Sequence, residues 1–217
     1  HEIKNPLASL RSALESLPKV RDDDVRAQLI AIATHDVRRI DRLVTEISEA
    51  SRIDAELSRV TFGPVDLAAL VRSVVGAREN RPENDGRTVE LDLPAWGAAV
   101  SGEPMRLERV IENLLDNAVS FSPEGGVVTV AVREDGGKVQ LSVCDQGPGI
   151  AEEAREKVFE RFHSDRPAGE DFGNHSGLGL AIARAIAQAH DGTLTAHGRD
   201  DGMPGACLVL SLPAGGQ

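Results

Sequence analysis

The sequence predicts two units in succession: an all-α helical hairpin that a second copy completes as a four-helix bundle, then an α+β two-layer sandwich. Three observations lead there. The apolar residues Ile3, Leu7, Leu10, Leu14 and Leu17 are spaced four, three, four and three apart, the seam of a coiled coil rather than the broad face of a globular helix. The helical period breaks at Phe62, Gly63 and Pro64. Beyond that break, stretches of alternating apolar and polar residues are interleaved with amphipathic helices, the pattern of a sheet covered by helices on one face.

Pro18 ends the first helical run, and Lys19 to Asp24 form a short charged turn. A second helical pattern runs through Leu29, Ile32, Ile40, Leu43, Ile47 and Ala50. Two narrow seams cannot bury themselves fully, so the hairpin is expected to pair with a second copy in a homodimer. Residues 1–57 therefore read as a dimerisation hairpin, 58–64 as a linker and 65–217 as the second domain. There, Val65-Asp66-Leu67 opens a helix reaching to about Ala77, with Asp66 as its N-cap. Alternation predicts strands at 88–93, 127–132, 139–143, 193–197 and 207–212, and amphipathic periods predict helices at 103–119 and 177–190. Glu134-Asp135-Gly136-Gly137 joins two of the strands at hairpin distance.

Composition narrows the function. The chain has 24 basic and 35 acidic residues, a formal net charge of −11, which opposes the phosphate backbone of nucleic acid and any anionic lipid surface. A nucleotide remains compatible, because backbone N–H groups and a divalent cation can handle its phosphates. Cys144 and Cys207 sit in strand-like apolar runs and read as free thiols in a reducing compartment; neither a disulfide nor a metal site made by this pair is expected. No apolar run spans a bilayer and no signal peptide is evident, so no direct membrane contact is expected of this stretch. The chain begins at His1 without an initiator Met, which reads as a piece of a longer protein.

Several short motifs carry chemistry. In His1-Glu2-Ile3-Lys4-Asn5-Pro6-Leu7, His1 lies off the apolar seam, so its imidazole faces water, and Asn5 is one turn further on the same face. A neutral imidazole is a competent nucleophile near neutral pH, and Glu2 beside it can accept a ring proton. Taken alone, this pattern is more often a surface helix with a chance His, and it gains weight only in the company of the motifs that follow. Asn113 and Asn117 are four apart on a helix whose Leu114, Leu115 and Ala118 face inward, so both amides project together, and amide oxygens suit Mg2+ when a triphosphate supplies the charge. Asp145-Gln146-Gly147-Pro148-Gly149-Ile150 delivers an acid to a glycine-permitted turn, where Asp145 can accept from an adenine amino group; an ordinary tight turn reads the same way. Ser176-Gly177-Leu178-Gly179 introduces a helix whose free N–H groups can cradle phosphates. Between these lie Phe159-Glu160-Arg161-Phe162 and an aperiodic stretch from His163 to His175 that reads as a lid, with Arg166 suited to charge on a transferring phosphoryl group.

In order, HEIKNPL, ENLLDNAVSFSP, DQGPGI, FERF and SGLGLAIARAIAQAHDG resemble the H, N, G1, F and G2 boxes of the sensor histidine kinase family, and the resemblance spans essentially the whole chain. It implies a dimerisation and phosphotransfer hairpin followed by a Bergerat-type ATP-binding domain, the fold of Hsp90-like chaperones and type II topoisomerases. By that resemblance His1 is the phosphoacceptor, Glu2 the adjacent acid/base, and Asn5 the residue that orients water when a phosphorylated regulator is dephosphorylated. Asn117 holds Mg2+ with Asn113 assisting, Asp145 reads the adenine of ATP, Phe121 forms an aromatic wall, and Gly147, Gly149, Ile150, Ser176, Gly177, Leu178 and Gly179 shape the pocket and lid. The wording FSP, HSDRP and FGNHSGLGL is similar to the ChvG-type branch, which implies the cytoplasmic portion of an inner-membrane sensor and an OmpR-type response regulator as partner.

The chain departs from the family in two places. Where many members carry Lys-Tyr after the N box it has Ser120-Phe121, which keeps the aromatic wall and drops a basic contact to phosphate. Two places after the second Phe of the F box it has Ser164, and Arg166 is the nearest arginine downstream. The alternatives are a nucleotide-binding signalling scaffold without turnover and another ATPase of the same fold. The latter lacks an HExxN hairpin and carries Glu where Asn113 stands.

Overall fold

A computed structural model describes residues 4–37, 40, 62–78, 86–95, 98–161, 163 and 177–215. Contacts divide the chain into two units, residues 1–55 with 161–178, and residues 56–160 with 179–217. In the first, helix α1 (Lys4–Ser16) passes into a 3-10 turn, Leu17–Lys19, where Pro18 sits at a position that has no intrahelical N–H to lose. Asp22 then opens α2 (23–37), its Oδ1 accepting from the N–H groups of Asp24 (3.0 Å) and Val25 (3.2 Å). Ile40 is helical as expected, while Ile3, Leu43, Ile47 and Ala50 lie outside the described residues. In the single chain the seam is uncovered: Leu7 is 48% and Leu14 53% exposed.

The second unit is built on a five-stranded sheet of order β2-β4-β5-β7-β6, from β2 (Thr88–Asp92), β4 (Val127–Asp135), β5 (Lys138–Cys144), β6 (Thr193–Gly198) and β7 (Ala206–Pro213). β2 runs parallel to β4 and the other pairs are antiparallel. Gly136 and Gly137, at φ +56° and +74°, turn the β4–β5 hairpin as the sequence predicts, because two consecutive left-handed residues match the strand twist. Alternate residues Val128, Val130, Val132, Val139, Leu141, Val143, Leu208, Leu210 and Leu212 are buried on one face. Helices α3 (Leu67–Arg78), α4 (Pro104–Phe121) and α5 (Gly179–Ala189) supply the other half of this core. The α4 stripe, Leu107, Val110, Ile111, Leu114, Leu115 and Ala118, recurs at three and four. Glu103 caps α4 by accepting from Met105 and Arg106 N–H groups, and Pro104 follows it.

Two expectations are corrected. Val65 and Asp66 do not open a helix: with Gly63 and Pro64 they form β1 (Gly63–Asp66), antiparallel to β3 (Ala99–Gly102), a strand the sequence reading did not find. Asp66 still caps, its Oδ1 accepting from Ala69 N–H at 3.0 Å as α3 begins. The cysteines are not free either. Cys144 and Cys207 are direct partners across β5 and β7, with Cα atoms 4.1 Å apart, and are joined as a disulfide. The reading placed each in its strand, but the register that sets them opposite one another is a long-range fact. With it goes the reason for inferring a reducing compartment.

His190, just past α5, is 3% exposed and ties the helices to the chain entering this unit. Its Nε2 accepts from Glu103 N–H (3.1 Å), so Nδ1 carries the proton and donates to Ile186 carbonyl (2.8 Å), while Phe62 stacks on the ring at 4.6 Å. Burial lowers its pKa from the ordinary 6.5, partly offset by the Ile186 carbonyl, with Arg106 lowering it and Glu103 and Asp191 raising it. The unfolded chain takes up a proton near 6.5 and the folded chain resists, so this contribution is complete above 6.5 and is lost as pH falls below it. Thermal melts at pH 7.5 and 5.5 will show a larger acid-side loss of Tm in the wild type than in His190→Gln, with a limiting slope of about 1.4 kcal/mol per pH unit. Identical pH dependence would contradict a buried neutral His190.

Candidate functional site

The wall of the site forms where the end of β5 meets the end of α4. Asp145 leaves β5 buried at 3% exposure, and its Oδ1 accepts from Gly147 N–H (2.8 Å) and Ala206 N–H (3.1 Å). Two backbone donors on one oxygen fix the carboxylate plane. Burial raises the Asp145 pKa, and those two hydrogen bonds together with the charge of Arg199 work against it. Gln146 also ties the turn down: its Oε1 accepts from Val127 N–H at 3.0 Å.

The glycines are there because of close approach. A Cβ on Gly147 would stand 2.7 Å from the Phe121 carbonyl oxygen and 3.0 Å from Asp145 Oδ1. Gly149 adopts φ +83°, and a Cβ there would meet the Gly205 carbonyl at 3.0 Å. A Cβ on Gly179, where α5 begins, would lie 3.2 Å from Asn113 Oδ1. The structure thus brings Phe121, Asp145 and Gly147 together, and separately sets Gly179 against Asn113 and Gly149 against Gly205. Asn117 lies one turn along α4 from Asn113, half-buried on the same face. Ile150 is half-buried, Gly177 adopts φ +69° and Leu178 is 1% exposed. Asn5 is exposed in the first turn of α1. His1, Glu2, Arg166 and Ser176 lie outside the described residues.

The donor set decides what the site can hold. Asn113 Nδ2 is a buried donor with no hydrogen-bond partner among the described residues, which is the mark of a group that awaits a ligand. Asp116, beside Asn117, is engaged by the buried Arg78 guanidinium at 2.5 Å. Among the described residues no cluster of three His, Cys, Asp or Glu is placed to hold a metal ion. Among the described residues, Asn113 and Asn117 on this face of α4 offer neutral amide oxygens, a donor set that fits a divalent cation carrying phosphate oxygens as its other ligands.

Sequence reasoning missed three contributors. Arg199 donates from Nη1 to the Asp145 main-chain carbonyl at 3.1 Å, Gly205 packs against that same carbonyl, and Ala206 donates to the carboxylate. Their one signal was the Gly/Pro cluster Gly202-Met203-Pro204-Gly205 between two strands, which reads as any turn.

Comparison with known proteins places the chain in a family. Residues 102–216 match the family model of histidine kinase-, DNA gyrase B- and HSP90-like ATPases, and residues 1–56 match the His Kinase A (phospho-acceptor) domain. The chain is 46% identical to sensor protein ChvG of Rhizobium meliloti, over 99% of this chain and 39% of that protein. It is 35% identical to the signal transduction histidine-protein kinase/phosphatase MprB of Mycobacterium leprae, over 98% of this chain and 41% of that protein. The chain therefore spans about two fifths of the length of these two relatives. Among solved structures, histidine kinase ThkA in complex with the response regulator protein TrrA superposes with a TM-score of 0.77 at 25% identity, covering 99% of this chain and 59% of that one.

Proposed function

The chain belongs to the sensor histidine kinase family, and on that premise we propose that it uses ATP to phosphorylate His1 and passes the phosphoryl group to an aspartate of a response regulator. The observation that carries the reading is the close approach of Gly147 to Phe121 and the Asp145 carboxylate at the end of α4, with Gly179 set against Asn113 earlier on the same helix, downstream of the segment that matches the phospho-acceptor model. Asp145 Oδ1 is occupied by two backbone donors, so Oδ2 is the atom that accepts from the adenine amino group. Phe121 lies against the base, and Asn117 with Asn113 faces the phosphates. Asn117, with Asn113 assisting, would hold Mg2+, which when bound would supply charge neutralisation to the transferring group.

His1, with Glu2 taking its ring proton, attacks the γ-phosphorus; the new bond is N–P, the bond to the β-bridging oxygen breaks, and ADP leaves. The phosphoryl group then moves to a regulator carboxylate. The half-exposed Leu7 and Leu14 support a homodimer closed through the hairpin. The 46% identity to sensor protein ChvG supports placing the chain in a sensor kinase, which we take to be membrane-anchored with this portion in the cytoplasm and an OmpR-type regulator as its partner. The test is transfer: label from γ-labelled ATP appears on the chain, then moves to a purified OmpR-type receiver on mixing. A receiver that stays unlabelled while the chain remains labelled overturns the partner assignment.

Asn5 stands apart from the nucleophile in this scheme. Asn5→Ala is expected to keep autophosphorylation within about threefold while slowing dephosphorylation of the regulator by roughly a hundredfold, the scale of a lost water-orienting group. Equal loss of both rates contradicts separate roles.

A further inference from the structure

The loop between β6 and β7 holds an ion pair that reaches the main-chain carbonyl of Asp145. Arg199 is 16% exposed; its Nε donates to Asp201 Oδ1 at 3.0 Å and its Nη2 to Asp201 Oδ2 at 2.5 Å, a two-pronged pair that fixes the guanidinium plane. Asp201 is held in turn, Oδ1 also accepting from Met203 N–H at 3.1 Å, and the Arg199 hydrogen bonds push its pKa down to about 2. The remaining arm, Nη1, donates to the Asp145 main-chain carbonyl at 3.1 Å. Gly205, at φ +138°, leaves no room beside that carbonyl: a Cβ there would strike it and would also meet Arg199 Cδ at 2.6 Å. The next residue, Ala206, donates its N–H to the Asp145 carboxylate. Main chain and side chain of Asp145 are thus gripped by one loop.

We infer that Arg199, locked by Asp201, is a positioning residue for base recognition: it never touches the nucleotide, but it holds the Asp145 turn where the carboxylate meets an adenine amino group. Guanidinium chemistry is needed because one side chain must satisfy a carboxylate with two parallel N–H groups and still present a third donor to a carbonyl, which an ammonium on a flexible stem does less well. The inference rests on Asp145 reading adenine, and its consequence is selectivity: loosening the clamp costs the base contact and leaves the phosphate contacts of α4 and α5 intact.

The experiment compares affinities for ATP and GTP, with Mg2+, across the wild type, Arg199→Ala, Arg199→Lys, Asp201→Asn and Asp145→Asn, with a thermal melt of each. Arg199→Ala weakens ATP binding about tenfold and leaves the already weak GTP binding unchanged, so the ATP/GTP ratio falls about tenfold. Arg199→Lys recovers only part of the lost ATP affinity, because an ammonium cannot pair with Asp201 on two prongs and still reach the Asp145 carbonyl, and Asp201→Asn falls between Arg199→Ala and the wild type. A wild-type ATP/GTP ratio in Arg199→Ala, beside a collapsed one in Asp145→Asn, overturns the positioning role and leaves the Asp145 reading standing. Equal loss of ATP and GTP together with a depressed Tm also overturns it, in favour of a purely structural loop. Unchanged ATP binding in Asp145→Asn removes the premise and the inference with it.

Discussion

Asp145→Asn will weaken ATP binding by about 3 kcal/mol, roughly 150-fold in Kd, without unfolding the protein. The substitution is nearly isosteric, and an asparagine Oδ1 can keep the two acceptor bonds from Gly147 and Ala206 N–H groups. What changes is the atom proposed to face the base. Nδ2 now stands where Oδ2 stood, so a donor meets the adenine amino donor and both are left unsatisfied in a buried site. Removal of the carboxylate charge also relieves the burial that raises the Asp145 pKa, so the variant is expected to melt no lower than the wild type. Titration with ATP by calorimetry, paired with a melt, checks both parts. Retained affinity means that Asp145 does not contact the base.

Asn117→Ala acts at the other end of the nucleotide. Its amide oxygen is proposed to hold Mg2+, and neighbouring Asp116 cannot replace it because Arg78 engages that carboxylate at 2.5 Å. Loss of the metal's share of charge neutralisation costs about 4 kcal/mol of barrier, roughly a thousandfold in the labelling rate. Adenosine, which carries no phosphate, will bind the variant as it binds the wild type, since Phe121 and Asp145 remain. A single-turnover labelling assay beside an adenosine titration separates the two effects. Equal weakening of adenosine would place Asn117 at the base instead of at the phosphates.

Sequence legibility followed the range of the interactions involved. The α4 stripe from Leu107 to Ala118 repeats every three or four residues, so the helix, its buried face and the outward Asn113 and Asn117 could be read directly. Gly136 and Gly137 announced a hairpin for the same local reason. β1 and β3 stayed hidden because each is four residues long and β1 is led by a glycine and a proline, too short for alternation to register. The Cys144–Cys207 disulfide depends on β5 and β7 being sheet neighbours in one register, which spacing along the chain does not encode. The Arg199 clamp was invisible for the same reason, since its partner carbonyl lies 54 residues earlier. His190 gave no signal as a single histidine after a helix, and its role appears once Glu103 and Phe62 close around it. In the site itself, the glycines were found by position and their reason came from the neighbours that a Cβ would strike.

The most direct test of the kinase assignment is to incubate the chain with γ-labelled ATP and Mg2+ and then challenge the label with acid and alkali. A phosphoramidate on an imidazole is lost in acid and survives alkali, whereas a serine or threonine ester survives acid. Acid-labile, alkali-stable label that disappears in His1→Gln is the expected result; acid-stable label, or label of either kind that persists in His1→Gln, contradicts a phosphohistidine at His1.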